Sequence, residues 1–280
     1  MKRRKRRRTG WRTLVILLLL ILAALLCRDN LQVRTVDYDL SFPDLPEAFD
    51  GLKILQISDL HGRDILTKQL LTRAEAASPD LIFLTGDLAD GEGQLTRLEP
   101  LIRGLAEIAP LYYVTGNHEW ALADTEGFLR DLSGLGITLL RNRFVTLERN
   151  GDRLLLAGVE DLNGYADMKT PEELAREMEA AGGGFSLLLA HRPEYFPDYA
   201  ALGFRVIFSG HVHGGMLRLP LLGGLLAPGH VLFPKYDGGL FTLGDSAMIL
   251  SRGLAGVNGF PRIFNPMEVP VVVLHRGENG

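Results

Sequence analysis

The stretch LKILQISDLHG, residues 52–62, runs from an apolar segment directly into an acid and an imidazole. Residues 52–58 are mostly aliphatic and hold no helix breaker, a pattern typical of a short strand buried in a sheet. Asp59 and His61 then stand where that strand is expected to end. The same succession of strand and polar turn recurs along the chain, and it sets the fold class that we predict.

Seven further segments have the same strand-like character. They are residues 80–85, 111–115, 154–158, 186–190, 205–209, 247–251 and 269–274. Helical patterns fill several of the gaps, namely 65–77, 94–108, 124–134 and 171–181. Thr170, Pro171 and Glu173 form a helix-start signal before the last of these helices. Strands that alternate with helices predict an α/β fold. The scarcity of helices after about residue 183 indicates a second sheet, and we expect one domain over residues 35–277.

The composition bounds the class of protein. Of the 280 residues, 46% are hydrophobic and 23% are charged, which is the balance of a folded globular chain rather than a disordered one. A single cysteine, Cys27, excludes an internal disulfide framework and a cysteine-rich zinc site. The composition therefore favours a folded domain whose metal ligands, if it has any, are not thiolates.

The first 30 residues differ from the rest of the chain. Eight lysines and arginines and no acid occupy residues 2–12, and an apolar run follows from Leu14 to Cys27. This pairing is typical either of a cleaved signal peptide or of an uncleaved anchor. Because no A-x-A cleavage site follows the run, we favour a single-pass anchor over residues 1–30, with the cleaved signal and a peripheral helix as alternatives. The positive-inside rule explains the basic patch without a nucleic-acid partner and places the folded domain outside the cytoplasm.

Chemistry-bearing side chains cluster directly after the predicted strands. In chain order they are Asp59, His61, Asp87, Asp90, Asn117, His118, Glu119, His191, His211 and His213. The strand ends of an α/β sheet open onto a crevice where ligands bind, so we expect these residues to converge. Imidazole, carboxylate and amide ligands without a thiolate suit Mn²⁺, Zn²⁺ or Fe. About seven such ligands are too many for one tetrahedral zinc and match two cations that share a carboxylate.

The order of these motifs carries a resemblance to a known family. D-L-H, G-D, G-N-H-E, a single H and G-H-V-H, all between residues 58 and 213, resemble the signature of the calcineurin-like metallophosphoesterases. The segments GGMLRLP and RIFNPMEVPVVVL and the N-terminal apolar run are similar to the membrane-anchored bacterial phosphodiesterase branch of that family. The resemblance implies two packed mixed β-sheets flanked by helices, a four-layer α/β sandwich, with a two-metal site at the strand ends.

The resemblance also implies a role for each position. It assigns one metal ion to Asp59, His61 and His213 and the other to Asn117, His191 and His211, with Asp87 bridging both. His118 is expected to donate a proton to the leaving oxygen or to stabilise the transition state. Four further residues have two interpretations each. Arg63 and Arg192 either clamp a phosphate or are solvated charges. Glu119 either orients His118 or is structural, and for Asp90 we favour a turn or cap role over a role in the site.

These expectations combine into a function. We expect a dimetal phosphoesterase that hydrolyses a phosphodiester or diphosphate bond by a metal-bridging hydroxide, with Mn²⁺ favoured over Zn²⁺ or Fe. Loop 219–239 is rich in leucine, so together with the anchor it favours a membrane-associated, lipid-linked phosphorylated substrate. A phosphomonoesterase or protein phosphatase is the alternative enzyme, and a non-catalytic metal-binding scaffold is the alternative from another class. The sequence does not indicate an oligomeric state.

Overall fold

Two six-stranded β-sheets form the centre of the computed structural model, which describes residues 2–91, 93–165, 168–219, 221–256 and 260–277. In chain order the strands are β1 (Val33–Phe42), β2 (Leu52–Ile57), β3 (Leu81–Thr85), β4 (Leu111–Val114), β5 (Thr138–Leu139), β6 (Arg143–Arg149), β7 (Asp152–Val159), β8 (Ser186–Ala190), β9 (Val206–Ser209), β10 (Arg218–Leu219), β11 (Gly223–Gly224), β12 (Leu226–Ala227), β13 (Val231–Leu232), β14 (Gly239–Leu243), β15 (Ser246–Leu250) and β16 (Met267–Arg276). The α-helices are α1 (Lys2–Leu31), α2 (Thr67–Ala77), α3 (Gln94–Ile108), α4 (Thr125–Gly134), α5 (Pro171–Ala180) and α6 (Phe196–Ala201). Each strand segment predicted from the sequence corresponds to a strand of these two sheets.

Both sheets are mixed, with parallel strands in the middle. The first sheet has the order β1-β16-β2-β3-β4-β5, in which β2 to β5 run parallel and β16 runs antiparallel to β2. The second has the order β14-β15-β9-β8-β7-β6, with β15, β9, β8 and β7 parallel and an antiparallel strand at each edge. The strands that precede the candidate site residues are β2, β3, β4, β8 and β9. These strands are parallel within each sheet, so their carboxyl ends lie at the same end of that sheet.

The two sheets pack face to face through aliphatic and aromatic side chains. Ile54 and Phe83 of the first sheet belong to the same buried cluster as Leu187 and Phe208 of the second. The rings of Phe83 and Phe208 meet edge to face, with their centroids 4.9 Å apart. Helices α2, α3 and α4 bury apolar residues against the first sheet, and α5 and α6 do so against the second. The result is the four-layer α/β sandwich expected from the sequence.

The second sheet begins earlier in the chain than residue 183. It already includes β6 and β7, a hairpin whose turn holds Asn150 and Gly151 at positive φ, 50° and 88°. Edge strand β6 alternates polar and half-buried residues, so it lacks the apolar run by which the central strands are recognised. The sequence analysis also missed the edge strands β1, β5 and β14, and β1 has the same mixed pattern as β6.

Helix boundaries agree with the sequence where a local signal marks them. The Thr170 hydroxyl accepts the N–H of Glu173 at 3.3 Å, and the Glu173 carboxylate accepts the N–H of Thr170 at 2.8 Å. Pro171 occupies the first turn of α5, where its missing N–H has no cost. The predicted start of α5 is therefore confirmed.

Helix α1 leads directly into the folded domain. Its stretch from Trp11 to Leu31 has 21 residues and a mean hydropathy of 2.3, is almost wholly exposed, and is long and apolar enough to cross a membrane. One residue, Gln32, separates α1 from β1. The last turn of the helix is part of the domain, because Asp29 is fully buried and accepts the backbone N–H of Asn265 at 3.0 Å.

Candidate metal centre

The candidate site residues lie just beyond five parallel strands. They are Asp59 and His61 after β2, Asp87 and Asp90 after β3, Asn117 and His118 after β4, His191 after β8, and His211 and His213 after β9. Asn117 aside, their ligand atoms fall into three overlapping groups, and within each group the atoms lie within 4.8 Å of one another. The fold therefore brings together side chains that are far apart in the sequence.

The turns after these strands use a backbone conformation that is uncommon outside glycine. Five candidate ligands have positive φ: Asp59 (53°), His61 (50°), Asp87 (50°), His211 (73°) and His213 (50°). Residues with a Cβ enter this region at a cost on the order of 1–3 kcal/mol when the position is strained. Such strain concentrates at functional sites, where the surrounding fold holds a side chain in a required position. The backbone thus marks these turns independently of the side-chain chemistry.

The first group of ligand atoms comes from Asp59, His61, Asp87 and His213. His213 Nε2 lies 3.3 Å from His61 Nε2 and 3.4 Å from Asp59 Oδ1. His213 Nδ1 lies 3.1 Å from the Ala255 carbonyl, and His61 Nδ1 contacts the Asp90 carboxylate. Since a carbonyl or an ionised carboxylate only accepts, both Nδ1 atoms carry a proton, and the Nε2 atoms are the ring nitrogens that face the site. Two imidazole nitrogens this close need a positive charge between them, either a proton or a metal ion.

The second group comes from Asp87, His191 and His211. His191 Nδ1 lies 2.7 Å from the Thr85 carbonyl, so Nδ1 is the donor and Nε2 is the ring nitrogen that faces the site. This Nε2 lies 3.1 Å from Asp87 Oδ2. Within the described residues, the buried Oδ1 of Asn117 finds no hydrogen-bond donor, and the Asp87 carboxylate beside His191 Nε2 is a second buried acceptor. Buried acceptors that converge without a donor suit a bound cation.

The charge balance of the site supports the same conclusion. Asp59 and Asp87 are 0% and 1% exposed, and buried carboxylates need a counter-charge. Burial lowers the pKa of His211 to about 3 and that of His213 to about 4, so both rings are neutral at neutral pH. Burial alone also lowers the pKa of His191, but the neighbouring Asp87 carboxylate raises it to about 10. The pair of His191 and Asp87 thus strongly attracts a positive charge, and the residues present fit two divalent cations that share Asp87.

Asp90 connects His118 to the first group. Its Oδ1 lies 2.8 Å from His118 Nδ1 and also contacts the ring of His61. The hydrogen bond to Asp90 raises the pKa of His118 above its usual value. The other ring nitrogen, His118 Nε2, lies 4.0 Å from Asp87 Oδ2. The sequence favoured a turn or cap role for Asp90, whereas the structure gives its carboxylate two imidazole partners.

Glu119 joins two of the site turns through their backbone. This fully buried carboxylate accepts the N–H groups of Asp87 (3.0 Å), Leu88 (2.7 Å), Ala89 (3.2 Å) and Gly116 (2.7 Å). Burial raises its pKa above the usual value. Of the two interpretations of Glu119, these contacts support the structural one, because the side chain binds the turns after β3 and β4 rather than the His118 ring.

The two arginines beside the ligand positions have other partners. Arg63 donates to the Leu254 carbonyl at 3.0 Å and to the Asn30 carbonyl at 3.1 Å. Arg192 forms a two-pronged ion pair with the buried Asp161, at 2.6 and 3.0 Å. Both guanidinium groups are thus already engaged within the protein, and a phosphate contact from either stays a prediction.

Two residues that the sequence analysis did not single out support the turn that carries His213. Arg262 is 1% exposed, and it donates to the carbonyls of Asn265 (2.7 Å), Arg252 (2.6 Å) and His213 (3.4 Å). Asn265 Nδ2 donates to the His213 carbonyl at 2.7 Å. The available signal was the segment RIFNP, where an arginine and an asparagine stand three residues apart inside an apolar tail.

Comparison with known proteins agrees with this geometry. A family model described as calcineurin-like phosphoesterase matches residues 52–215, which is more than half of the chain. The chain therefore belongs to the calcineurin-like phosphoesterases, the class of hydrolases that cleave phosphoric ester bonds.

Individual relatives place the chain within that class. Phosphodiesterase YaeI of Escherichia coli (strain K12) is 30% identical over 215 residues, covering 74% of this chain and 76% of that protein. A Danio rerio protein, named a transmembrane protein with metallophosphoesterase domain, is 30% identical over 266 residues and 86% of this chain. The match covers 57% of that relative, so the chain spans little more than half its length. The crystal structure of TT1561 from Thermus thermophilus shares the fold, with a TM-score of 0.50 and 16% identity over 73% of this chain and 90% of that one.

Proposed function

We propose that this chain is a two-metal phosphodiesterase that hydrolyses a phosphodiester or diphosphate bond in a membrane- or envelope-associated substrate. The observation that carries the proposal is the pair of buried ligand groups that share Asp87 and whose acceptor atoms face one another. Membership of the phosphoesterase family supports the reaction class, and the relative named a phosphodiesterase supports the diester.

The chain's own residues would hold both cations. One cation is assigned to Asp59, His61 and His213, the other to Asn117, His191 and His211, and Asp87 is common to both. Two cations held by these residues would polarise a phosphoryl oxygen and would supply a nucleophile from water at neutral pH. A set of imidazole, carboxylate and amide ligands favours Mn²⁺ as the native metal, with Zn²⁺ and Fe as the next choices.

His118 is the proposed proton donor to the leaving oxygen. Because Asp90 holds its Nδ1, the atom that exchanges a proton with the substrate is Nε2. Breaking the bond between phosphorus and the leaving oxygen places negative charge on that oxygen, and a proton from Nε2 neutralises it. The exposed fraction of the His118 side chain is 39%, against 1% for Asp87, so His118 is open to a substrate that approaches from solvent.

A lipid-linked substrate is supported by an apolar cavity beside the second ligand group. This cavity has a volume of about 420 Å³ and adjoins His211. Its other lining residues are mainly apolar and include Pro193, Pro197, Val212, Ala227, Val231 and Tyr236. Ala227 and Val231 pair with each other in the short hairpin of β12 and β13, within residues 219–239, the leucine-rich stretch that the sequence associated with a lipid. An acyl or prenyl portion of the substrate fits such a cavity while its phosphate lies at the ligand groups.

The proposed setting is the membrane surface outside the cytoplasm. Residues 1–30 would form a single-pass anchor, and residues 35–277 would form the catalytic domain. The apolar stretch of α1, the basic residues before it and a relative named a transmembrane protein support this arrangement.

The test uses the full-length chain in detergent, stripped of metal with a chelator. Mn²⁺ or Zn²⁺ is then added back, and hydrolysis of bis-p-nitrophenyl phosphate is followed beside that of p-nitrophenyl phosphate. We expect metal-restored cleavage of the diester, a fall on the order of 10⁴-fold in the Asp87→Ala variant, and no change in Asp131→Ala, an exposed position on α4. Cleavage of the monoester alone would point to a phosphomonoesterase, and failure to bind metal would remove the proposal.

A further inference from the structure

The end of α1 is hydrogen-bonded to two residues that support the candidate metal centre. Asn30 pairs with the backbone of Arg262 in both directions, donating to its carbonyl at 2.9 Å and accepting its N–H at 2.8 Å. Asp29 accepts the N–H of Asn265 at 3.0 Å. Arg262 and Asn265 both donate to the His213 carbonyl. These two residues therefore link the end of the helix to a candidate metal ligand.

Large apolar side chains face solvent around this same point. Leu221 and Leu222, which are 105% and 68% exposed, belong to the turn of the hairpin of β10 and β11. Phe264, next to Asn265, is 39% exposed and lines one cavity together with both leucines. Phe260, two positions before Arg262, is 68% exposed. We call Leu221, Leu222, Phe260 and Phe264 the apolar foot.

The length of α1 matches the thickness of a bilayer, which places the apolar foot near the membrane surface. At a rise of 1.5 Å per residue, the 21 residues from Trp11 to Leu31 measure about 31 Å, close to the ~30 Å of a bilayer's hydrocarbon core. The apolar run ends at Cys27, so the charged and polar last turn of the helix, residues 28–30, lies at the edge of that core, and this is the turn that binds Arg262 and Asn265. With only Gln32 between α1 and β1, the domain has no tether that would let it move away from the lipid.

We infer that the apolar foot docks on the lipid bilayer and fixes the candidate metal centre at the membrane surface in one orientation. The occupant of this surface is lipid, because Phe260 and Phe264 flank the residues that bind the end of an apolar helix, and Leu221 and Leu222 line one cavity with Phe264. An exposed cluster of large apolar side chains is typical of such an interaction site. The inference rests on the proposed anchor and adds a second contact, which the anchor alone does not require.

Spin labels on the full-length chain in lipid vesicles test the inference. In a Cys27→Ala background, single cysteines are introduced as Leu18→Cys in α1, as Leu221→Cys and Phe264→Cys in the foot, and as Leu162→Cys in an exposed loop after β7. The measurement compares collisions of each label with oxygen, which enters lipid, and with a water-soluble nickel chelate. We expect the oxygen-to-nickel ratio at positions 221 and 264 to exceed that at 162 several-fold and to approach that at 18.

The outcomes separate the inference from the anchor. A lipid-like ratio at position 18 with water-like ratios at 221 and 264 would overturn the foot and leave the anchor intact. A water-like ratio at position 18 would overturn both. Because these side chains are exposed, the substitutions leave the core intact. Leu222→Cys provides a second position on the same turn if the Leu221 variant does not fold.

Discussion

The two ligand groups of the candidate metal centre share Asp87 but are supported differently. In the second group, His191 is held by the Thr85 carbonyl at the end of a central strand of the first sheet. In the first group, His213 is held by the Ala255 carbonyl, and its turn is braced by the side chains of Arg262 and Asn265. One group therefore depends on sheet backbone and the other on irregular segments, residues 251–256 and 260–266.

This difference indicates where the centre is weakest. A central strand is hydrogen-bonded on both sides, so its carbonyls move only when much of the domain opens. The irregular segments depend on individual side-chain hydrogen bonds, each contributing about 1 kcal/mol. The second of them is also the segment to which α1 is fastened through Asn30. We expect the first group to lose its cation before the second, and to be the group that responds to changes in the helix.

Among residues that are not assigned as ligands, the largest expected effect comes from His118, which contacts the first group through Asp90. His118→Gln replaces the imidazole with an amide of similar reach, which cannot donate a proton to the leaving oxygen. We expect kcat on the diester to fall by about 10²–10⁴-fold while two cations remain bound, measured by steady-state kinetics together with elemental analysis of the metal. His275→Gln, at a half-exposed position on β16, is the matched control. Loss of one cation in the His118 variant would instead make this residue a ligand.

The same contrast between sheet and irregular segment explains what the sequence could predict. The central strands are recognisable because a strand buried between two layers must be apolar along its whole length, as 186–190 is. Asp59, Asp87 and His191 follow such strands directly, so locating the strands also located the turns. Edge strands β1 and β6 lack the signal because solvent lies along one side of them.

Contacts between distant segments could not be predicted in this way. Glu119 binds the backbone of Asp87, 32 positions earlier in the chain, and Arg262 binds the carbonyl of His213, 49 positions earlier. Neither pairing leaves a periodic pattern in the sequence, since each depends on how two irregular turns meet after the sheets have packed. The role of Asp90 was misjudged for this reason, because His118 reaches it from a different strand end.

An intermediate effect is expected from Asn265, which supports only the first group. Asn265→Ala removes the donor to the His213 carbonyl and leaves the support of His191 untouched. We expect the affinity for one of the two cations to fall by about 10–100-fold, the usual cost of losing a residue that supports a ligand. Isothermal titration of Mn²⁺ into the metal-free protein would resolve the two affinities. An equal loss of affinity for both cations would show that the two groups do not have separate supports. Asn163→Ala, at an exposed loop position, controls for the substitution itself.

The smallest effect is expected from Asn30, which reaches His213 only through Arg262. Asn30→Ala removes two hydrogen bonds between α1 and the second irregular segment, so we expect the free energy of unfolding to fall by about 1–3 kcal/mol and the thermal midpoint to fall by a few degrees. The affinity for the first cation is expected to change less than in Asn265→Ala, because Arg262 keeps its own bonds to the carbonyls around His213. Thermal unfolding in detergent, followed with and without Mn²⁺, measures both quantities against Asn163→Ala.

An unchanged midpoint would mean that the helix end contributes nothing to the stability of the domain. A loss of affinity larger than in Asn265→Ala would mean that the helix acts on the first group more directly than through Arg262.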